Sequence, residues 1–142
     1  ILSMMILLVI LILSYFLLDL PIKGSLILLL FVSTIFILTN LLIGILISIF
    51  VKTQQQAMLI SLIATMLPTL MLSGFMFPIE NMPIPLQVVS NIIPAKWYYI
   101  MIKNIMIKGT GIVIIWKPFL VLFGMMIVLF VIAVKKFKIR LE

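Results

Sequence analysis

Leu72-Ser73-Gly74-Phe75-Met76-Phe77-Pro78-Ile79-Glu80-Asn81-Met82-Pro83-Ile84-Pro85 places three prolines within eight residues, where a charge-free window of 27 residues, 53–79, comes to its end. Proline has no N–H to donate, and its ring clashes with the preceding turn, so a helix arriving from the N-terminal side cannot run through this stretch. The helix ends and the chain turns. Asn81 is a candidate N-cap with proline just inside the first turn, which predicts a short helix over about 84–93, stopped before Pro94. The uncharged window 81–95 has 15 residues, fewer than the about 17–25 that cross a hydrocarbon core of about 30 Å. This helix is therefore expected to be re-entrant or interfacial.

Outward from that break, the sparse charges divide the chain into further windows at 1–18, 24–51 and 118–134, of 18, 28 and 17 residues. Four windows are long enough to span, at about 1–18, 26–50, 57–75 and 118–134. The first is no signal sequence, since it lacks a basic start and a small-residue cleavage site and three more spans follow. Asp19-Leu20-Pro21-Ile22-Lys23-Gly24 permits an antiparallel return, and Lys52-Thr53-Gln54-Gln55-Gln56 is the polar break that makes a tight hairpin of the second and third spans. A second short helix is expected from Ala95 to Lys108. It has Lys96, Lys103 and Asn104 on one arc and Tyr98, Met101, Ile102, Ile105 and Met106 on the other, with Trp97, Tyr98 and Tyr99 as an interfacial aromatic signature. Gly109-Thr110-Gly111 ends it, and Lys135-Lys136-Phe137-Lys138-Ile139-Arg140 makes a basic tail over 135–142. The expected fold is all-α and integral to the membrane: one transmembrane domain over 1–142, with four spans and a re-entrant or interfacial helical hairpin at about 78–108 before the last.

Composition agrees, at 66% hydrophobic, 9% charged and mean hydropathy +1.51, against about 45–50% and about 25% in soluble domains. It also excludes chemistry. With no Cys and no His there is no thiol nucleophile, disulfide, imidazole base or Cys/His metal site. Asp19, Glu80 and Glu142 are the carboxylates, too scattered for an acid/base pair, and no GxxxxGK[ST] loop is present. No cofactor or metal is expected in this chain, and nucleotide hydrolysis must come from another polypeptide. The net charge of +7 sits at span edges, where it serves lipid headgroups and topology rather than nucleic acid. Lys and Arg divide evenly between the two sides, and the compact basic tail favours a cytoplasmic C-terminus. Ile1 opens directly in an apolar run, which suggests a piece of a longer reading frame.

The stretch from Leu72 to Pro83 is similar to the membrane subunit of ABC-2 type exporters, specifically the drug-efflux-like permeases of bacteria. Gln55-Gln56-Ala57-Met58-Leu59, Leu86-Gln87, Asn91-Ile92-Ile93-Pro94, Trp97-Tyr98-Tyr99, Lys108-Gly109, a final span and a basic tail follow in the family's order, over about residues 30–142. The resemblance implies the last four of six transmembrane helices, in the bacterial cytoplasmic (inner) membrane. It puts Lys52–Gln56 and the tail in the cytoplasm, and re-entrant helices from Pro78 to Lys117 outside. It implies a nucleotide-binding subunit carrying ATP and Mg, and a second permease copy, identical or not. Lys96 departs from the commoner uncharged pattern after Pro94.

Each candidate site has two readings. Ser73, Gly74, Phe77, Pro78, Glu80, Asn81 and Pro83 form the outer re-entrant motif, in which Glu80 is either a contact for a leaving cationic substrate or a complement to a helix dipole. Ser33, Asn40, Gly44 and Ser48 on the second span, and Ser61, Thr65, Pro68 and Thr69 on the third, make small polar stripes. These either line a pathway or pack helices, and Pro68 is expected to kink its helix. Lys52, Thr53, Gln54, Gln55 and Gln56 are a coupling contact for the ATPase or a plain solvated turn. The expected function is the permease subunit of an ATP-driven exporter for an amphipathic drug-like or lipid substrate; the alternative is a passive membrane scaffold or pore. The missing His, Cys and paired acids disfavour an intramembrane lipid-modifying enzyme.

Overall fold

The computed structural model describes residues 1–17, 23–109 and 111–141, with side chains described as far as Lys138. The expected turn residues Asp19 to Ile22, Thr110 of the glycine stop and the last tail residue Glu142 lie outside these. All regular structure among the described residues is helical: α1 (Leu2–Leu17), α2 (Leu26–Phe50), α3 (Gln54–Ser61), a π-helical segment (Leu62–Met66), α4 (Leu67–Leu72), a 3-10 turn (Ile79–Asn81), α5 (Ile84–Ser90), α6 (Pro94–Lys103), a second π segment (Asn104–Lys108) and α7 (Ile112–Leu141).

Three of these stretches are long and apolar enough to cross a membrane: Leu26–Phe50, Gln54–Leu72 and Ile112–Lys138. The apolar α1 is shorter, at 16 residues, so three spans of full length are found among the described residues. α2 begins where Ser25 accepts from the Leu28 N–H at 3.5 Å and ends at extended Val51. Its bounds are those read from the charge-free window.

Elsewhere the ends differ from the expected ones, each for a local reason. Thr53 caps α3 by accepting from the Gln56 N–H at 3.3 Å, so Gln54, Gln55 and Gln56 form the first helical turn and the link shrinks to Val51, Lys52 and Thr53. Glutamine is a good helix former once a cap is in place. Pro68 does not stand in an unbroken α-helix. It falls in the first turn of α4, behind the π segment, where its missing N–H costs little. Thr65 Oγ1 there donates to the Ser61 carbonyl. The stretch ends at Leu72 because Gly74 takes φ +87.

Asn81 is not the cap of α5; it lies in the 3-10 turn, and Pro83 occupies the cap position. Proline presets the entering φ, while Gln87 Nε2 donates back to the Met82 carbonyl at 2.9 Å. α5 closes at Ser90 rather than near residue 93. α7 begins six residues before the expected start and carries Pro118 within it. The apolar run Ile112–Ile115 is already helical, so Lys117-Pro118 is no boundary, and the tail cations Lys135, Lys136 and Lys138 continue the same helix.

The core is where α2, α7 and α6 with its π extension pack against one another. Leu29, Val32 and Ile35 of α2 meet Met101, Ile105, Ile115 and Leu122. Met101 and Ile105, on the side of α6 and its extension that the sequence marks apolar, are fully buried, as is Leu122 of α7. The register is antiparallel. Lys23 N–H donates to the Met106 carbonyl at 3.4 Å, while Tyr98, two turns back along α6, reaches Ser33 at 2.8 Å and stacks on Phe36 with ring centroids 4.1 Å apart. Phe36 lies ten residues past Leu26, about 15 Å along the helix at 1.5 Å per residue. The Pro94 end of α6 therefore stands well down the length of α2 rather than level with its start.

Outside this core the surface is apolar. α3, the π segment and α4 contain no buried residue, and Ile27, Val113 and Phe137 are exposed. Helices whose backbone bonds close internally can leave such side chains facing hydrocarbon.

Candidate functional site

The proline-rich motif folds back along α6 and encloses a cleft of about 630 Å³. Ser73, Gly74, Pro78 and Glu80 line one wall, and Tyr99, Lys103, Asn104 and Lys108 line the other. Ser73 is buried and its Oγ accepts from the Phe75 N–H at 3.3 Å, which starts the turn. Gly74 is needed at φ +87, and a Cβ there would stand 3.2 Å from Ile79 Cδ1. Phe75 meets Tyr99 edge to face at 6.2 Å. Phe77, Asn81 and Pro83 are exposed and do not line the cleft.

Glu80 shares this cleft with Lys103 and Lys108, so one carboxylate and two ammonium-bearing side chains line it. Sequence position alone hides that neighbourhood, because Lys103 and Lys108 lie a full helix away from Glu80 in the chain. The place of Lys103 on the polar arc of α6 is the signal that could have found it.

The α2 stripe divides in two. Ser33 is fully buried, donates to the Leu29 carbonyl at 2.7 Å and pairs with Tyr98. Asn40, Gly44 and Ser48 instead line an open groove of about 560 Å³ together with Ser3 of α1. Asn40 Nδ2 donates to the Phe36 carbonyl at 2.9 Å, and Ser48 Oγ to the Ile45 carbonyl at 2.7 Å. Nothing lies within 4 Å of a Cβ built on Gly44, so no close helix approach among the described residues explains that glycine. On the third stretch, Ser61, Thr65, Pro68 and Thr69 share the partly covered side of an otherwise exposed helix. The groove walls are α1 and α2, and the two stripes are not brought together there. Lys52, Thr53, Gln54, Gln55 and Gln56 are all exposed.

One further cluster forms at the turn between α5 and α6. Lys96 Nζ donates to Asn91 Oδ1 and, at 3.3 Å, to the Oγ of fully buried Ser90; it also stands 5.4 Å from the centre of the Trp97 ring. Trp97 Nε1 donates to the Asn91 carbonyl at 2.9 Å. Among the described residues no group of side chains suited to holding a metal forms.

Comparison with known proteins places this arrangement. Over 108 residues the chain is 38% identical to a protein of Escherichia coli K12 named probable multidrug ABC transporter permease YbhS, covering 76% of this chain and 29% of that protein. Over 99 residues it is 37% identical to the E. coli protein named probable multidrug ABC transporter permease YbhR, covering 70% and 27%. Over 118 residues it is 30% identical to ABC transporter G family member 20 of Dictyostelium discoideum, covering 82% and 16%. The chain thus spans less than a third of the length of these relatives. No solved structure matches. The family described as ABC-2 family transporter protein matches residues 1–135. An all-helical chain with membrane-length apolar helices and that match is an integral membrane protein, and it belongs to the ABC-2 transporter family.

Proposed function

We propose that this chain is the pathway-forming part of a permease subunit in an ATP-driven exporter of the bacterial cytoplasmic membrane. In this reading α1 is the fourth crossing. The Val51 end of α2 and the basic end of α7 face the cytoplasm, and α5 and α6 form a re-entrant hairpin from the outer side. A separate nucleotide-binding subunit carries ATP and Mg, and a second permease copy covers the apolar faces that α3 and α4 leave open. The substrate is an amphipathic drug-like molecule or a lipid.

The observation that carries this is the tie between α6 and α2. Tyr98 bonds Ser33 and stacks on Phe36, so a displacement of α2 is delivered to the cleft at the proline motif. At the other end of α2 the link to α3 is three residues, stiffened by the Thr53 cap. A push by the ATPase on Lys52 to Gln56 would move two helices as one lever rather than be absorbed by a loop. The chain itself does no covalent chemistry; it contributes shape, an apolar route and an outer gate.

The test is ATP-dependent uptake of a fluorescent amphiphile into inverted vesicles holding the full-length permease and its ATPase. Uptake is expected only with both subunits and hydrolysable ATP. Movement without the ATPase, or without ATP, makes the protein a passive pore and overturns the proposal.

A further inference from the structure

We propose that Lys96 is a specificity-determining residue of the export route, selecting amphiphiles that carry an anionic group such as a carboxylate or phosphate; this rests on the exporter reading above. The first ground is position. Tyr98 meets α2 at Ser33 and Phe36, about 15 Å along α2 from Leu26, and Lys96 precedes Tyr98 on the side of α6 away from the Gly24 end. A hydrocarbon core is about 30 Å thick, so a hairpin docked in this register carries the ammonium to a middle depth. The flexible lysine stem is shorter than the distance back to the surface.

The second ground is the company it keeps. The contacts of the ammonium are neutral: Asn91 Oδ1, Ser90 Oγ and the face of Trp97. Glu80 lies in the other cleft, with Lys103 and Lys108. A charge held in low dielectric against neutral groups alone is costly, and leucine or methionine would fill the same place without that cost. An anion arriving beside it would relieve the cost.

The third ground is orientation. An ammonium has three protons; two point to Asn91 and Ser90, which fixes the head and leaves one for a ligand. The indole of Trp97, pinned through its N–H to the Asn91 carbonyl at 2.9 Å, offers apolar surface next to that head. A headgroup site and a tail surface thus stand side by side, as an anionic amphiphile requires.

The experiment uses the full-length permease with its ATPase in proteoliposomes, and three dansyl-labelled probes of one chain length ending in a carboxylate, an alcohol or a trimethylammonium group. Lys96→Gln is expected to raise KM for the carboxylate probe about tenfold or more, as loss of a charge-assisted bond would, leaving kcat and the alcohol probe within about twofold. Lys96→Arg restores the carboxylate KM, and Lys96→Glu moves the preference to the trimethylammonium probe. An unchanged carboxylate KM in Lys96→Gln, or an equal change for all three probes, overturns the proposal. Equilibrium binding of the same probes to the purified complex separates the two readings. If the wild type transports none of them yet binds the carboxylate probe in a Lys96-dependent way, the exporter reading falls and the anion site stands. If the carboxylate binds no better than the alcohol, the site falls, whatever is transported.

Discussion

Tyr98 is the residue on which most of the geometry turns, because one side chain supplies both a hydrogen bond and a stacked ring to α2. Tyr98→Phe keeps the ring and removes the bond, which should cost about 0.6–2 kcal/mol, the range for interhelical hydrogen bonds in membranes. Ser33→Ala should cost as much and the double variant little more, read as thermal unfolding of purified protein; strict additivity would show that the two hydroxyls do not interact. Gly74→Ala should be worse for the cleft than for the fold, since a Cβ at φ +87 costs roughly 1–2 kcal/mol and crowds Ile79. Accessibility of a cysteine placed at Glu80 to a thiol reagent would report it, and an unchanged labelling rate would count against that glycine role. Ser33 and Tyr98 could each be read in the sequence, one as part of a polar stripe and the other as an aromatic at the interface. Their pairing could not, because it depends on how far α6 slides along α2.

At the scale of elements, α2 was legible from its flanks: Ser25 caps its start, and it closes at Phe50, one residue short of the last apolar position before Lys52. α7 was not. Charge and proline together look like a boundary at Lys117-Pro118, yet a proline in the second turn forfeits one backbone bond, and the flanking apolar run keeps the helix going. The three-residue link between α2 and α3 invites a direct test. Inserting two glycines between Lys52 and Thr53 should leave ATP hydrolysis by the partner subunit in place and reduce transport at least about tenfold, because a flexible link takes up the displacement. If transport and hydrolysis fall together, the link is a docking surface rather than a lever. Thr53→Ala is the milder form, removing a cap worth about 1 kcal/mol and lowering the helicity of the Gln54–Gln56 turn.

For the whole molecule, the exposed apolar surface decides behaviour. None of the stretch from Gln54 to Leu72 is buried, so the protein should require lipid or detergent and gain stability when a partner or bilayer covers that face. The class of fold was readable from composition alone, since the charges mark where helices can run. The register was not: only the packing of α6 on α2 sets how far along α2 the Pro94 end of α6 reaches. Single cysteines at Met76, Asn91 and Phe137, labelled by a membrane-impermeant reagent from either side, check the arrangement. Met76 should react from outside, Phe137 from inside and Asn91 slowly from both; Met76 and Phe137 reacting from the same side would dismantle the topology.

The wide turn at Leu62–Met66 has a mechanical corollary. A π segment holds one residue more than an α turn, and each residue turns a helix by about 100°. If that surplus residue migrates one place along the helix, the azimuth of every side chain between its old and new positions changes while the axis stays straight. Any side chain that the surplus residue passes would be re-aimed by about 100°; in the present setting the Thr65 hydroxyl donates to the Ser61 carbonyl across the segment.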